Sequence, residues 1–323
     1  MHAFMLALAL AFAGESWGTP AGTQAAALQA LPAEWSLAIL PGAHSGISLA
    51  ALKRQALTPP ARYRVVVLPG SGCTGWVPVA ARYFAGLLHA ELLVLHKPGV
   101  DISAGLAAQC SAAFVQNDNL PAWRDHAQAA LQAHFSPTPT TSQQAPELPV
   151  LLVGISEGAE LLPYLARSVP ALAGAVMISA PGLDPREAGE LQAVRLGHGV
   201  AWQALDEAQA SNASSNAQHQ GRTLAYWRSF WHWPLAQPLL NAPWPLLRAW
   251  GEADALVSDI AYERFGQQAR TRVAPWCDLR LPGADHGLAR APPNPRDGLQ
   301  WLWAQLENWA RNPAADLCAL PPQ

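Results

Sequence analysis

Three loops of this chain carry residue types that together could perform nucleophilic acyl transfer. They read Gly154-Ile155-Ser156-Glu157-Gly158, Gly251-Glu252-Ala253-Asp254 and Pro282-Gly283-Ala284-Asp285-His286-Gly287. A serine hydroxyl is a weak nucleophile until an imidazole takes its proton. A carboxylate that fixes the imidazole tautomer completes the set. The first loop is a G-x-S-x-G sequence. That pattern alone is weak, because it arises by chance and its serine also reads as the N-cap of an ordinary helix. Its setting adds weight: the apolar run Val150 to Val153 precedes it, and Ala159 to Leu162, which favour helix, follow. A strand-to-helix turn this sharp strains the serine backbone and pushes Oγ outward. Side chains two positions to either side would collide, so Gly154 and Gly158 keep those places nearly empty. The N-terminus of the following helix favours negative charge at the serine.

For the acid, Asp254 has three competitors nearby: Glu252, Asp259 and Asp285. Asp285, next to the histidine, reads as a group that caps or orients its own loop. For the base, His286 follows a strand and a Pro-Gly turn. The competing histidines are His134 at a helix end and His198, His219 and His232 in a less regular region. Glu157, in the first turn after the serine, reads as a helix-dipole partner and not as a catalytic carboxylate.

These loops need elements to position them. Strands are expected over 34–40 and 46–55, joined by the turn Pro41-Gly42, and over 63–68, where β-branched residues are dense. The last ends at Pro69-Gly70-Ser71-Gly72-Cys73, a loop that needs glycine-tolerant geometry. A helix over 76–90, a strand over 91–95 and an amphipathic helix over 120–135 opened by Pro121 follow. Residues 136–148 form a polar, proline-rich connector. After the serine come a helix to about 168 and a strand over 173–179. Further on, strands over 244–250 and 276–281 alternate with helices over 258–270 and 296–309. Such alternation implies an α/β fold with a mostly parallel central sheet and right-handed crossovers.

The rhythm breaks between residues 183 and 242. A polar run, Ser211 to Gly221, lies there beside the aromatic cluster Tyr226 to Trp233. Six of the fourteen tryptophans fall between Trp202 and Trp250. An insertion here would sit over the carboxyl ends of the strands as a cap, or the rings would simply pack it onto the core; both can hold.

Composition sets outer bounds. With 50% hydrophobic and 13% charged residues, 323 residues can bury a large core, so disorder is not expected. A net charge of -3 and the absence of a basic cluster argue against nucleic-acid binding. Lysine is nearly absent, at Lys53 and Lys97 only. The apolar run Ala3 to Ala13 is too short to span a bilayer but suits a signal peptide ending near Ala11-Phe12-Ala13. It lacks a Lys or Arg n-region, and a buried N-terminal helix is the competing reading. The four cysteines form no C-x-x-C pair and have no zinc spacing. Export to the periplasm or medium would favour disulfides. The expected pairing joins sequence neighbours, Cys73 with Cys110 and Cys277 with Cys318; four buried thiols are the alternative.

The elbow GISEG, the acid turn WGEADALVS and the histidine turn LPGADHGL, in the order Ser, Asp, His, resemble the α/β-hydrolase superfamily over residues 34–312. The loop LPGSG stands where relatives carry an HG-type oxyanion loop, with proline in place of histidine. The resemblance implies an α/β-hydrolase fold, with a core over 14–182 and 244–323 and a cap insertion over 183–243. It implies Ser156 as nucleophile, His286 as base and Asp254 as its orienting acid. The oxyanion hole would come from the backbone N–H of Glu157 and that of Ser71 or Gly72. No metal or cofactor is required. The expected substrate is a small acyl compound, an ester first and a peptide or acyl-transfer partner second. A binding protein on a hydrolase fold is the non-enzymatic alternative.

Overall fold

The structure, a computed structural model, describes residues 31–105, 109–136, 147–292, 295–314 and 316–319. The leader expected over 1–13, and most of the connector over 136–148, lie outside these residues.

Eight strands form one sheet: β1 Trp35–Pro41, β2 Ser48–Arg54, β3 Tyr63–Leu68, β4 Ala90–Leu95, β5 Val150–Ile155, β6 Leu172–Ile178, β7 Leu246–Gly251 and β8 Trp276–Leu281. Their order is β1-β2-β4-β3-β5-β6-β7-β8. β2 alone runs against the rest, pairing antiparallel with β1 and β4. The remaining pairings are parallel, so the sheet is mostly parallel as expected. The central strands are apolar throughout because helices cover both faces. Alternate residues divide between two layers. Val66, Leu68, Leu152 and Met177 pack on one side with Trp123, Leu131 and Phe265. Val65, Val67, Leu151 and Val153 pack on the other with Phe84, Leu302, Trp303 and Leu306.

The helices are α1 Ala80–Tyr83, α2 Ala112–Asn117, α3 Leu120–Phe135, α4 Leu162–Leu165, α5 Pro185–Arg195, α6 Gly199–Ala210, α7 Leu224–Trp231, α8 Ala236–Leu240, α9 Asp259–Ala269 and α10 Gly298–Trp309. Two depart from expectation. The helix expected over 76–90 shrinks to the single turn α1. Side chains of α10 take over its carbonyl ends: Gln300 Nε2 donates to Arg82 and Tyr83 oxygens at 3.2 and 3.0 Å, and Trp303 Nε1 donates to Tyr83 at 2.7 Å. Gly86 then packs so close that a Cβ would lie 3.0 Å from Trp303 Cβ. Tertiary contacts override propensity here. The helix expected after Ser156 is a 3₁₀ turn over Ser156–Leu161, the α-turn α4 and a second 3₁₀ turn over Ala166–Ser168. Pro163, in the first turn of α4, lacks the N–H that a continuous α-helix would use.

Residues 183–243 hold α5 to α8 and a two-stranded ribbon, Gln218–His219 with Arg222–Thr223. Leu205, Tyr226, Trp227 and Trp231 form a separate small cluster, on which Trp202 stacks at 4.4 Å from Trp231. Trp233 and Trp244 belong instead to the main core, and Trp250 stacks on Tyr262. Disulfides join Cys73 to Cys110 and Cys277 to Cys318, the pairing expected. No helix of the described residues is long and apolar enough to cross a membrane.

Candidate active site

The carboxyl ends of β3, β5, β6, β7 and β8 open onto one cavity of about 850 Å³. Ser156 caps β5 with φ +50°, a left-handed backbone that non-glycine residues adopt only under constraint. The flanking glycines explain how the chain tolerates it. A Cβ on Gly154 would lie 2.5 Å from Ala159 Cα, and one on Gly158 would lie 2.1 Å from the Leu68 carbonyl oxygen. Any side chain at either position would force the turn apart. The loop after β3 runs alongside: a Cβ on Gly70 would come 3.3 Å from Ser156 Cβ, and Gly72 takes φ +94°. Glu157, Ser71 and Gly72 all line the cavity.

His286, on the loop after β8, places Nε2 3.2 Å from Ser156 Oγ and Nδ1 2.8 Å from Asp254 Oδ2. Ser179, at the end of β6, donates its hydroxyl to the His286 carbonyl oxygen at 2.6 Å and holds the loop from below. Gly251 lets that loop approach: a Cβ there would sit 2.2 Å from the Asp285 carbonyl oxygen. Asp254 is buried, and all its acceptor sites are occupied. Oδ1 takes the N–H groups of Leu256 and Val257 at 2.7 and 3.1 Å, and Oδ2 also takes the Tyr262 hydroxyl at 2.8 Å. Burial pushes its pKa up, but the hydrogen bonds from His286, Leu256 and Tyr262 and the electrostatic attraction of His286 outweigh burial and hold it below the ordinary aspartate value. An ionised Asp254 fixes the proton on Nδ1 and leaves Nε2 bare toward the serine.

The competing residues lie elsewhere. Glu252 pairs with Arg280 at 2.7 Å and accepts from the Gly283 N–H. Asp259 accepts from Ile260 N–H. Asp285 accepts from Gly287 and Ala289 N–H groups, bracing its own loop as expected. His134, His198, His219 and His232 do not line the cavity.

Glu157 departs from the sequence expectation. Its carboxylate does more than face the dipole of the first turn: it is buried and ion-paired to Lys97, and it accepts the Tyr226 hydroxyl at 2.6 Å. Lys97 also donates to Asp118 at 3.0 Å, and Asp118 pairs with Arg222. Burial disfavours the charged forms of both Lys97 and Glu157, but the opposite charges outweigh it, raising the Lys97 pKa and lowering that of Glu157. Two cations and two anions thus balance beneath the elbow. Sequence reasoning passed over Lys97, although it leaves the carboxyl end of β4, the same edge of the sheet that carries the other loops. It also passed over His96, whose Nε2 accepts the Trp76 N–H and whose pKa burial lowers to about 4. Glu160, four residues after the serine and lining the cavity, was missed as well.

Strand order, the single reversed strand and a serine at a strained strand-to-helix turn define the α/β-hydrolase fold. Solved structures agree. The esterase domain of a Rhodothermus marinus protein superposes with a TM-score of 0.52 at 16% identity, covering 86% of this chain and 98% of that one. Est1E of Butyrivibrio proteoclasticus with ferulic acid bound gives 0.56 at 12% identity, covering 86% and 100%. A Pyrobaculum calidifontis esterase gives 0.54 at 14% identity, covering 91% of each. No protein-family model matches the chain, and no curated protein does.

Proposed function

We propose that the protein is a serine hydrolase of carboxylic esters or closely related acyl compounds. The observation that carries this reading is the unbroken hydrogen-bond line from Asp254 through His286 to Ser156 Oγ, at 2.8 and 3.2 Å, opening on a cavity large enough for an acyl substrate. Ser156 Oγ attacks the carbonyl carbon while His286 Nε2 takes its proton. The oxyanion that forms is held by the Glu157 N–H and that of Ser71 or Gly72, where one such donor typically lowers the barrier by about 3 kcal/mol. His286 returns the proton to the departing alcohol, and water then releases the acyl group by the same steps in reverse order. Residues 183–243 act as the cap, since Trp202, Tyr226, Trp227 and Phe230 line the cavity together with the loops. The esterases among the structural neighbours favour esters over peptides. Two disulfides and the N-terminal apolar run favour an exported protein.

The test is intact mass after incubation with a fluorophosphonate, followed by peptide mapping and ester assays. One adduct on Ser156, with ester turnover lost in Ser156→Ala while the fold persists, is the expected result. Retained hydrolysis by the pure variant would overturn the assignment.

A further inference from the structure

Glu160 lines the cavity but takes no part in the network beneath the elbow; Asp297, another cavity-lining carboxyl outside that network, instead caps α10 by accepting the Gln300 N–H at 3.0 Å. Glu160 is 5% exposed, and its Oε2 has no hydrogen-bond partner among the described residues. The neighbouring carboxylates are already committed: Glu157 to Lys97 and Tyr226, and Asp184 to the N–H groups of Leu235 and Ala236 at 2.7 and 2.8 Å. Trp233 Nε1 donates to the main-chain oxygen of Glu160, not to its side chain. Burial first, then the charges of Glu157 and Asp184, push the Glu160 pKa well above the ordinary range, which favours the neutral acid. A neutral carboxyl offers one donor and one acceptor, and leaving them unpaired in a buried site costs free energy.

Glu160 lies on the same 3₁₀ turn as Ser156, four residues on, which at the rise of that helix is about 8 Å along the axis. Resting on the hydrolase reading of this cavity, we propose that Glu160 is a specificity determinant: it anchors an uncharged hydroxyl or carboxamide on the acyl part of the substrate, several bonds from the reacting carbonyl carbon. Such a group both donates and accepts, which matches the neutral carboxyl. A carboxylate there would meet the field of Glu157 and Asp184 and is disfavoured. A plain alkyl chain would leave the acid unpaired.

The experiment compares kcat/KM for p-nitrophenyl hexanoate and its ω-hydroxy counterpart in the wild type, Glu160→Gln and Glu160→Met, with circular dichroism melts of each protein. The wild type favours the hydroxylated ester. The Met variant reduces that preference by about tenfold, the worth of one good hydrogen bond in a dry site, and the Gln variant retains it because an amide also donates and accepts. No preference in the wild type, which needs no variant to fold, overturns the proposal, as does a preference unchanged in the Met variant. If the wild type cleaves neither ester, the hydrolase reading fails separately. Binding of hexanediol and hexanol to the Ser156→Ala protein, followed by tryptophan fluorescence, then decides: tighter diol binding that Glu160→Met abolishes supports the subsite, and equal binding overturns it.

Discussion

Asp254→Asn gives the sharpest test of the proposed relay, because the structure dictates how the amide must sit. Oδ1 of Asp254 is held by two backbone N–H groups, from Leu256 and Val257, and only an oxygen can stay there. The asparagine amino group must therefore take the Oδ2 place, where it faces His286 Nδ1 and the Tyr262 hydroxyl. An N–H₂ group has no acceptor to offer Nδ1, so Nδ1 gives up its proton and accepts. The imidazole proton moves to Nε2, which then points a hydrogen at Ser156 Oγ instead of a lone pair. The base is lost while the geometry hardly changes. In triads of this kind the wrong tautomer costs about 10⁴-fold in kcat, or about 5.5 kcal/mol of barrier. The assay is ester turnover together with the rate of fluorophosphonate labelling, with a thermal melt to show that the variant is folded. Both rates should fall together. Glu252→Gln and Asp285→Asn serve as controls, since those carboxyls contact Arg280 or their own loop and not His286. A folded Asp254→Asn protein within tenfold of wild-type turnover would refute the relay.

Two further outcomes concern stability. Lys97→Met strands the buried Glu157 carboxylate, and with both side chains 5% exposed or less the solvent cannot compensate. The loss should be about 3–5 kcal/mol in denaturant unfolding, and less than about 1 kcal/mol would show that the pair adds little. Each disulfide closes a separation of 37 or 41 residues, for which the chain-entropy relation gives about 4 kcal/mol. Reduction should lower the unfolding midpoint by a corresponding amount, and an unchanged midpoint would mean that neither bridge restrains the unfolded chain.

Much of the fold was legible because its signals are local. Val150 to Val153 is an apolar run and Tyr63 to Leu68 is dense in β-branched residues, and the structure builds β5 and β3 on them. Pro121 announces α3 at its first turn, and the structure adds an Asn119 cap whose side chain accepts from Ala122 N–H. Ser156, Asp254 and His286 could be singled out because each leaves the carboxyl end of a strand, and topology brings those ends together. What stayed hidden depends on partners far away in the chain. The helix expected over 76–90 is cut short by Gln300 and Trp303, more than two hundred residues on. Glu157 read only as a helix-dipole partner because Lys97, Asp118, Arg222 and Tyr226 come from three separate segments. Nothing in its own neighbourhood reveals that it is buried.

That buried network has a physical logic at this position. A serine at φ +50° carries about 1–3 kcal/mol of strain and persists only if its surroundings over-determine it. Steric exclusion at Gly154 and Gly158 fixes the residues before and after the elbow, but it is non-directional along the turn. A pair of apolar side chains at positions 97 and 157 could fill the same space at little loss of stability, since a buried ion pair seldom beats apolar packing. It would not, however, fix the direction of the backbone beside Ser156. Glu157 does, because its carboxylate must meet both the Lys97 ammonium and the Tyr226 hydroxyl at once. Those two partners come from the loop after β4 and from α7, so the turn that strains the serine is clamped from the sheet on one side and from residues 183–243 on the other. Moving α7 away would uncover a carboxylate that has already lost its water, which makes the seat of that helix and the geometry of the elbow energetically inseparable.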